Sequence, residues 1–172
     1  MNRWIYGVAR AMAWAGGLVL VAITAMSIVS IAGRALIQFG LGPVPGDFEL
    51  VEVGTAIAVF CFLPWCHLMR GHAVVDVLWR VYPAPMQRVL NVATQALMLL
   101  IWMLLVWRMV HGLMDYHGNG ETSFILHMPV WWGYAACMVP AVLGTLVYVW
   151  TLLESLGVVA PPEQMQFSAG GH

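Results

Sequence analysis

A chain of 172 residues that is 62% hydrophobic and only 9% charged falls far below the roughly one quarter of charged residues that coats an ordinary soluble domain, and so excludes a water-soluble core. Seven basic residues, all Arg, against eight acids leave a net charge of -1, which excludes the basic surface a nucleic-acid binder needs. With a mean hydropathy of +0.83, the composition is that of a protein whose solvent is lipid.

At the N-terminus, Arg3 and Arg10 ahead of an apolar run resemble the basic region of a secretory signal. The 23 uncharged residues between Arg10 and Arg34 are longer than a signal core, however, and long enough to cross a hydrocarbon layer of about 30 Å at about 1.5 Å per residue. The expectation is a retained first helix over Ala11 to Ala32, followed by spans over Leu50 to Met69, Val89 to Trp107 and Pro129 to Leu153. Turn chemistry separates them: Gly40, Gly42, Pro43, Pro45 and Gly46, then Pro83 and Pro85, then Gly118, Asn119 and Gly120. The fold class expected is all-α, a polytopic membrane domain over residues 1–156. Residues 157–172, rich in Gly and Pro, form a flexible cytoplasmic tail that cannot bury enough surface to offset its ordering entropy.

The second span opens with Asp47, Phe48, Glu49 and Glu52. Acids in a first turn complement the positive end of the helix dipole, with Asp47 a plausible N-cap, which is one account of them. The other is that a carboxylate at membrane depth is costly and therefore seeks a partner, for which Glu52, the deeper of the pair Glu49 and Glu52, is the better candidate. After the second span, Val74, Val75, Leu78, Trp79 and Tyr82 share an apolar helical face while Asp76 and Arg80, four apart, form a polar stripe. That pattern predicts a short interfacial helix between the second and third spans, with Pro83 and Pro85 keeping it from continuing into the third.

Six His invite a haem or metal reading, but His67 and His72 lie at one end of the spans and His111, His117 and His127 at the other, with His172 in the tail. No span carries a central His for a bis-histidine haem, and the five-residue step from His67 to His72 diverges on a helix. No cofactor or metal is expected. The three Cys, at 61, 66 and 137, fall in apolar runs and read as small hydrophobes rather than a disulfide framework. Small residues recur at helical spacing (Ala9, Ala13 and Gly17; Gly54 and Ala58; Gly133, Cys137 and Ala141, with Gly144 nearby), which permits close backbone approach inside the bundle or onto another subunit. Pro64 and Pro140 inside spans predict kinks.

Orientation follows from Arg, since basic residues stay on the cytoplasmic side of short loops. Arg3, Arg10, Arg70, Arg80 and Arg88 fall on one side against Arg34 and Arg108 on the other, which places both termini in the cytoplasm. Trp107, Trp131 and Trp132 near the outer ends and Trp4, Trp65 and Trp79 near the inner ones suit the headgroup level. The first, third and fourth spans lack deep ionisable residues, and no interrupted half-helix pair, nucleophile beside a base or phosphate loop is visible. Such a chain is not built to transport alone.

Gly33 and Arg34, Pro45 with Phe48, Glu49 and Glu52, the run Gly71, His72, Val75 and Asp76, and Pro129 with Trp131 occur in an order that resembles the small, Q-type membrane subunit of tripartite ATP-independent periplasmic (TRAP) transporters. The resemblance covers about Trp4 to Leu156, with Gly-His-x-x-Val-Asp its most specific piece and Phe48 where the family often has Trp. It implies a non-catalytic bacterial inner-membrane subunit that scaffolds a large, M-type multi-helix permease during ion-coupled uptake of an organic acid. That permease carries the substrate and sodium sites, and a periplasmic substrate-binding protein delivers the substrate. Membrane lipid is the other partner and nucleic acid is not one. Interface roles fall to Arg34, Glu49 and Glu52 near the outer face and to His72, Asp76 and Arg80 at the cytoplasmic elbow. Two other classes remain open: a membrane anchor of a haem-containing redox complex, and a self-contained small transporter.

Overall fold

The computed structural model describes residues 2–69, 71 and 83–159. The interfacial helix expected between the second and third spans, with His72, Asp76 and Arg80, and the tail from residue 160 lie outside the described residues. What is described is helical apart from turns and one isolated bridge between Thr122 and Pro129. Four helices are long and apolar enough to span a membrane: α1 (Asn2–Ala35), α2 (Asp47–Leu68), α3 (Ala84–Asn119) and α4 (Trp131–Ser155), with a 3-10 turn at Ile37–Phe39.

Two of these helices overrun the spans expected from the charges. α1 has 34 residues and α3 has 36, about 50 Å each at 1.5 Å per residue, so Arg10 lies inside α1 and Arg88 and Arg108 lie inside α3. A charge does not stop a helix, because its long side chain reaches the interface while the backbone ladder continues. The ends are set by backbone chemistry instead. α3 starts behind Pro83, extended at φ -64° and ψ 150°, with Pro85 in the first turn, where a missing N–H removes no helical bond. α4 closes with Gly157 N–H donating to the Glu154 carbonyl (3.0 Å) and Val158 N–H to that of Leu153 (3.1 Å), which satisfies carbonyls the helix leaves over.

The helices form an open layer rather than a closed bundle. α1 packs on α2, α2 on α4 and α4 on α3, with a smaller contact of α1 on α4, while among the described residues α1 and α3 occupy opposite flanks. Accordingly the chain itself buries 44% of the apolar window of α4 but only 11% of those of α1 and α3. Lipid tails are as apolar as Leu, so the seams are held by close fit and polar bonds rather than by expulsion of water. At the main seam Trp102 is 2% exposed, stacks on Tyr148 at 4.6 Å and donates its Nε1–H to Thr145 Oγ1 at 3.1 Å. Phe60 of α2 meets the same indole edge-on at 5.8 Å. Gly144 makes the fit possible, since a Cβ there would lie 2.6 Å from Trp102 and 2.7 Å from Pro64. A second cluster joins Ala9, Leu68 and Val147, with Tyr6 edge-on to Trp65 at 5.1 Å. Of the small residues expected to pack, Ala9, Gly54, Ala58, Cys137, Ala141 and Gly144 are buried. On α1 the buried glycine is Gly16, against Cys61 and Ala58, and Gly17 has open space around it. A one-residue step is 100° around a helix, and a run of small residues alone does not reveal which of two adjacent glycines faces the seam.

Candidate functional site

The end of the layer where α1 meets α2 and α3 meets α4 concentrates the polar chemistry. On α1, Ser30 and Arg34 lie one turn apart on one face. The buried Ser30 hydroxyl donates to Asp47 Oδ2, Arg34 Nη2 lies 3.1 Å from the same oxygen, and the Phe48 N–H donates to Oδ1 at 2.8 Å. Val44 N–H donates to Ser30 Oγ (3.3 Å), which draws the connecting segment into the clasp. Gly33 completes it: any Cβ there would run into the Gly42 carbonyl oxygen. Asp47 is therefore a first-turn acid that ties α2 to α1 and not the N-cap the sequence suggests. The cap position falls to Gly46, at φ +70°, a left-handed geometry that glycine adopts without steric cost and where a side chain would meet Leu126. Arg34 remains 61% exposed beyond its bond to Asp47.

Glu49 reaches in the other direction. Its Oε1 accepts the Ile125 N–H at 2.7 Å, and its Oε2 accepts the Leu126 N–H at 3.0 Å and the Ser123 hydroxyl at 2.7 Å. The connection from α3 to α4 is thereby gathered onto the first turn of α2. Within it, Ser123 N–H donates to the Met128 carbonyl (2.8 Å), Val130 N–H to that of Glu121 (3.0 Å), and His127 holds φ 52°, unusual for a residue with a side chain. Phe124 at the tip is 95% exposed.

Glu52, one turn below Glu49, is different again. Among the described residues it has no hydrogen-bond or ion-pair partner, and it is exposed at the rim of a groove of about 270 Å³ between α2, α3 and α4. Ala56, Phe60, Met109, Gly133 and Cys137 floor that groove, and the Tyr134 hydroxyl is near enough to feel the carboxylate. The structure thus brings Arg34, Glu49 and Glu52 to one end of the layer, gives the first two partners within the chain and leaves the third unpaired. Sequence reasoning missed Ser30, Ser123 and Tyr134. The four-residue step from Ser30 to Arg34 could have drawn attention to the first. Nothing local marks Ser123, which lies 74 residues from its partner.

Among the described residues the histidines do not gather at one site. His67 is 3% exposed, bonds through Nε2 to Thr151 Oγ1 at 2.9 Å and stacks on Tyr148 at 4.0 Å, whereas His111 bonds the Trp107 carbonyl at 2.9 Å near the opposite end of the layer. Among the described residues no three His, Cys, Asp or Glu side chains are placed to hold a metal ion. Cys61, Cys66 and Cys137 are free thiols. What this end can do chemically is bind: it offers the unpaired Glu52 carboxylate, the exposed Arg34 guanidinium and an exposed apolar tip at Phe124.

A family model for tripartite ATP-independent periplasmic transporters, DctQ component, matches residues 20–157, most of the chain and all of this end. No curated protein and no solved structure matches.

Proposed function

The chain belongs to the DctQ component family of tripartite ATP-independent periplasmic transporters, and from that premise we propose that it is the non-catalytic small permease subunit that scaffolds a large multi-helix subunit in the bacterial inner membrane. In this reading both termini are cytoplasmic, the clasped end carrying Arg34, Glu49 and Glu52 faces the periplasm, and a periplasmic binding protein delivers an organic acid for ion-coupled uptake. The observation that carries the scaffold role is the open layer. A membrane domain whose flanking helices bury 11% of their apolar windows internally is shaped to be one wall of something larger. The clasps from Asp47 and Glu49 favour a static part, since each ties a connection to a neighbouring helix and resists relative motion of the two. Glu52 is the contact proposed for a cation of the large subunit, because an unpaired carboxylate one turn inside a span is costly until it is paired. His72, Asp76 and Arg80 are proposed to fix the cytoplasmic elbow.

The test is affinity purification of the tagged chain in mild detergent, with the accompanying membrane proteins identified. A large multi-helix protein in constant proportion is expected, and Glu52→Ala should reduce its recovery or the uptake several-fold while membrane insertion stays intact. A chain that purifies alone and moves substrate in liposomes, or a preparation with a Soret band, would overturn the reading, and wild-type behaviour of Glu52→Ala in both assays would remove Glu52 from the interface.

A further inference from the structure

α2 and α4 both run inward from the clasped end and stay in register, with Gly133 beside Val53, Gly144 beside Pro64 and His67 stacked on Tyr148. The groove under Glu52 therefore has two parallel edges: Glu52, Ala56 and Phe60 one turn apart on α2, and Val130, Gly133 and Cys137 at steps of three and four residues on α4. Two small residues keep it open. Ala56 is exposed, and Gly133 presents bare backbone, where a Cβ would have Val53 as its one neighbour within 4 Å. Glu52 stands at the outer end of its edge, with Ala56 one turn, about 6 Å, further in. A carboxylate at this depth needs a cation, yet among the described residues none pairs with it, since the described ion pair is that of Arg34 with Asp47. The phenol of Tyr134 can supply a hydrogen bond but no charge. At about 270 Å³ the groove is smaller than the roughly 300 Å³ at which pockets begin to hold a drug-sized molecule. Its size is that of side chains.

We propose that one transmembrane helix of the large subunit lies in this groove and places a single Lys or Arg level with Ala56, its aliphatic stem running outward over Ala56 and Gly133 and its cationic head resting on Glu52. The make-up of such a side chain, an apolar stem with a charged tip, is the make-up of the lining. Its direction is outward, toward water, which is the way a basic side chain inside a span turns in any case. Ala56 and Gly133 let the two backbones approach, and close approach is what holds helices together in lipid. Charge then selects the partner: a helix with a neutral or acidic residue at this place leaves Glu52 without a cation. Such a contact presupposes the scaffold role proposed above and fixes where on the layer, and through what chemistry, the large subunit rests.

The experiment places a photo-crosslinking residue at position 56 of the full, tagged chain in its native membrane, purifies the chain with whatever accompanies it, and maps the adducts by mass spectrometry. Adducts are expected on one helix of the large subunit, within about one turn of a Lys or Arg. Glu52→Gln should lower both the adduct and the recovery of the large subunit by about ten-fold, as loss of a charge-assisted contact does. Glu52→Lys should abolish both, and changing the mapped Lys or Arg to Glu in the large subunit should restore them, which shows that the variant chain still folds. Adducts with lipid alone, or with a helix that carries no basic residue near the adduct, while the large subunit still co-purifies, overturn the proposal and leave the scaffold role standing. Full recovery and full adduct in Glu52→Gln overturn it in the same way. If no large subunit accompanies even the wild-type chain, the scaffold role falls and this contact with it.

Discussion

Asp47 and Glu49 stand two residues apart in one first turn, and their carboxylates leave the helix in different directions, one to Ser30 and Arg34 of α1, the other to the backbone of the connection between α3 and α4. A carboxylate that accepts two N–H groups and a hydroxyl holds all three only while it is charged and correctly placed, so the amide isostere is a sharp probe. Glu49→Gln keeps the shape but turns one acceptor oxygen into a donor, which opposes whichever N–H or hydroxyl it faces. Hydrogen exchange at the Ile125 and Leu126 amides is expected to quicken by about ten-fold or more, with the amides of the α4 interior unchanged. Unaltered exchange at both positions would mean that the connection holds its shape without Glu49. The presence of acids in this turn was legible from the sequence, as was the possibility that one of them needed a partner. Which acid finds its partner at home and which does not was not legible, because Ser123, Ile125 and Leu126 come to Glu49 only after three helices have packed.

Helix existence and helix register stand on different footings. Long apolar runs bounded by Gly and Pro dictate four spanning helices almost without reference to one another, since in lipid each backbone must satisfy its own N–H and C=O groups. Their ends extend past Arg10, Arg88 and Arg108, and α3 starts behind Pro83 and ends at the left-handed Gly120 rather than at a charge. Rotation about each axis depends on the neighbour. Gly16 faces Cys61, where a Cβ would lie 2.8 Å away, while Gly17 faces open space. Gly16→Val is accordingly expected to destabilise the chain by about 1–3 kcal/mol through overpacking, and Gly17→Ala to be neutral or slightly stabilising through helix propensity. Thermal midpoints measured in one detergent for the two variants and the wild type decide this, and equal loss in both would show that the α1 to α2 seam is rotated from the one described.

For the molecule as a whole, the two questions are which way it crosses the membrane and what completes it. The Arg distribution predicts a cytoplasmic N-terminus, and on the orientation proposed above a membrane-impermeant maleimide applied to intact spheroplasts should label Asn119→Cys and should reach Gly7→Cys only after the membrane is opened; the reverse pattern would invert the layer. Both positions are exposed, and Gly7 has open space around it. Composition and run length by themselves determined that this is a four-span membrane protein, and the ordered residues from Gly33 to Trp131 pointed to its family, because those properties reside in local stretches of chain. Only the tertiary structure decided that the helices lie in the order α1, α2, α4, α3, that Arg34 and Glu49 are held within the chain while Glu52 is not, and that Ala56 and Gly133 line one groove with Glu52. The reason is physical: in lipid, helices choose neighbours by shape and by polar bonds between residues far apart in sequence, and no local period records either.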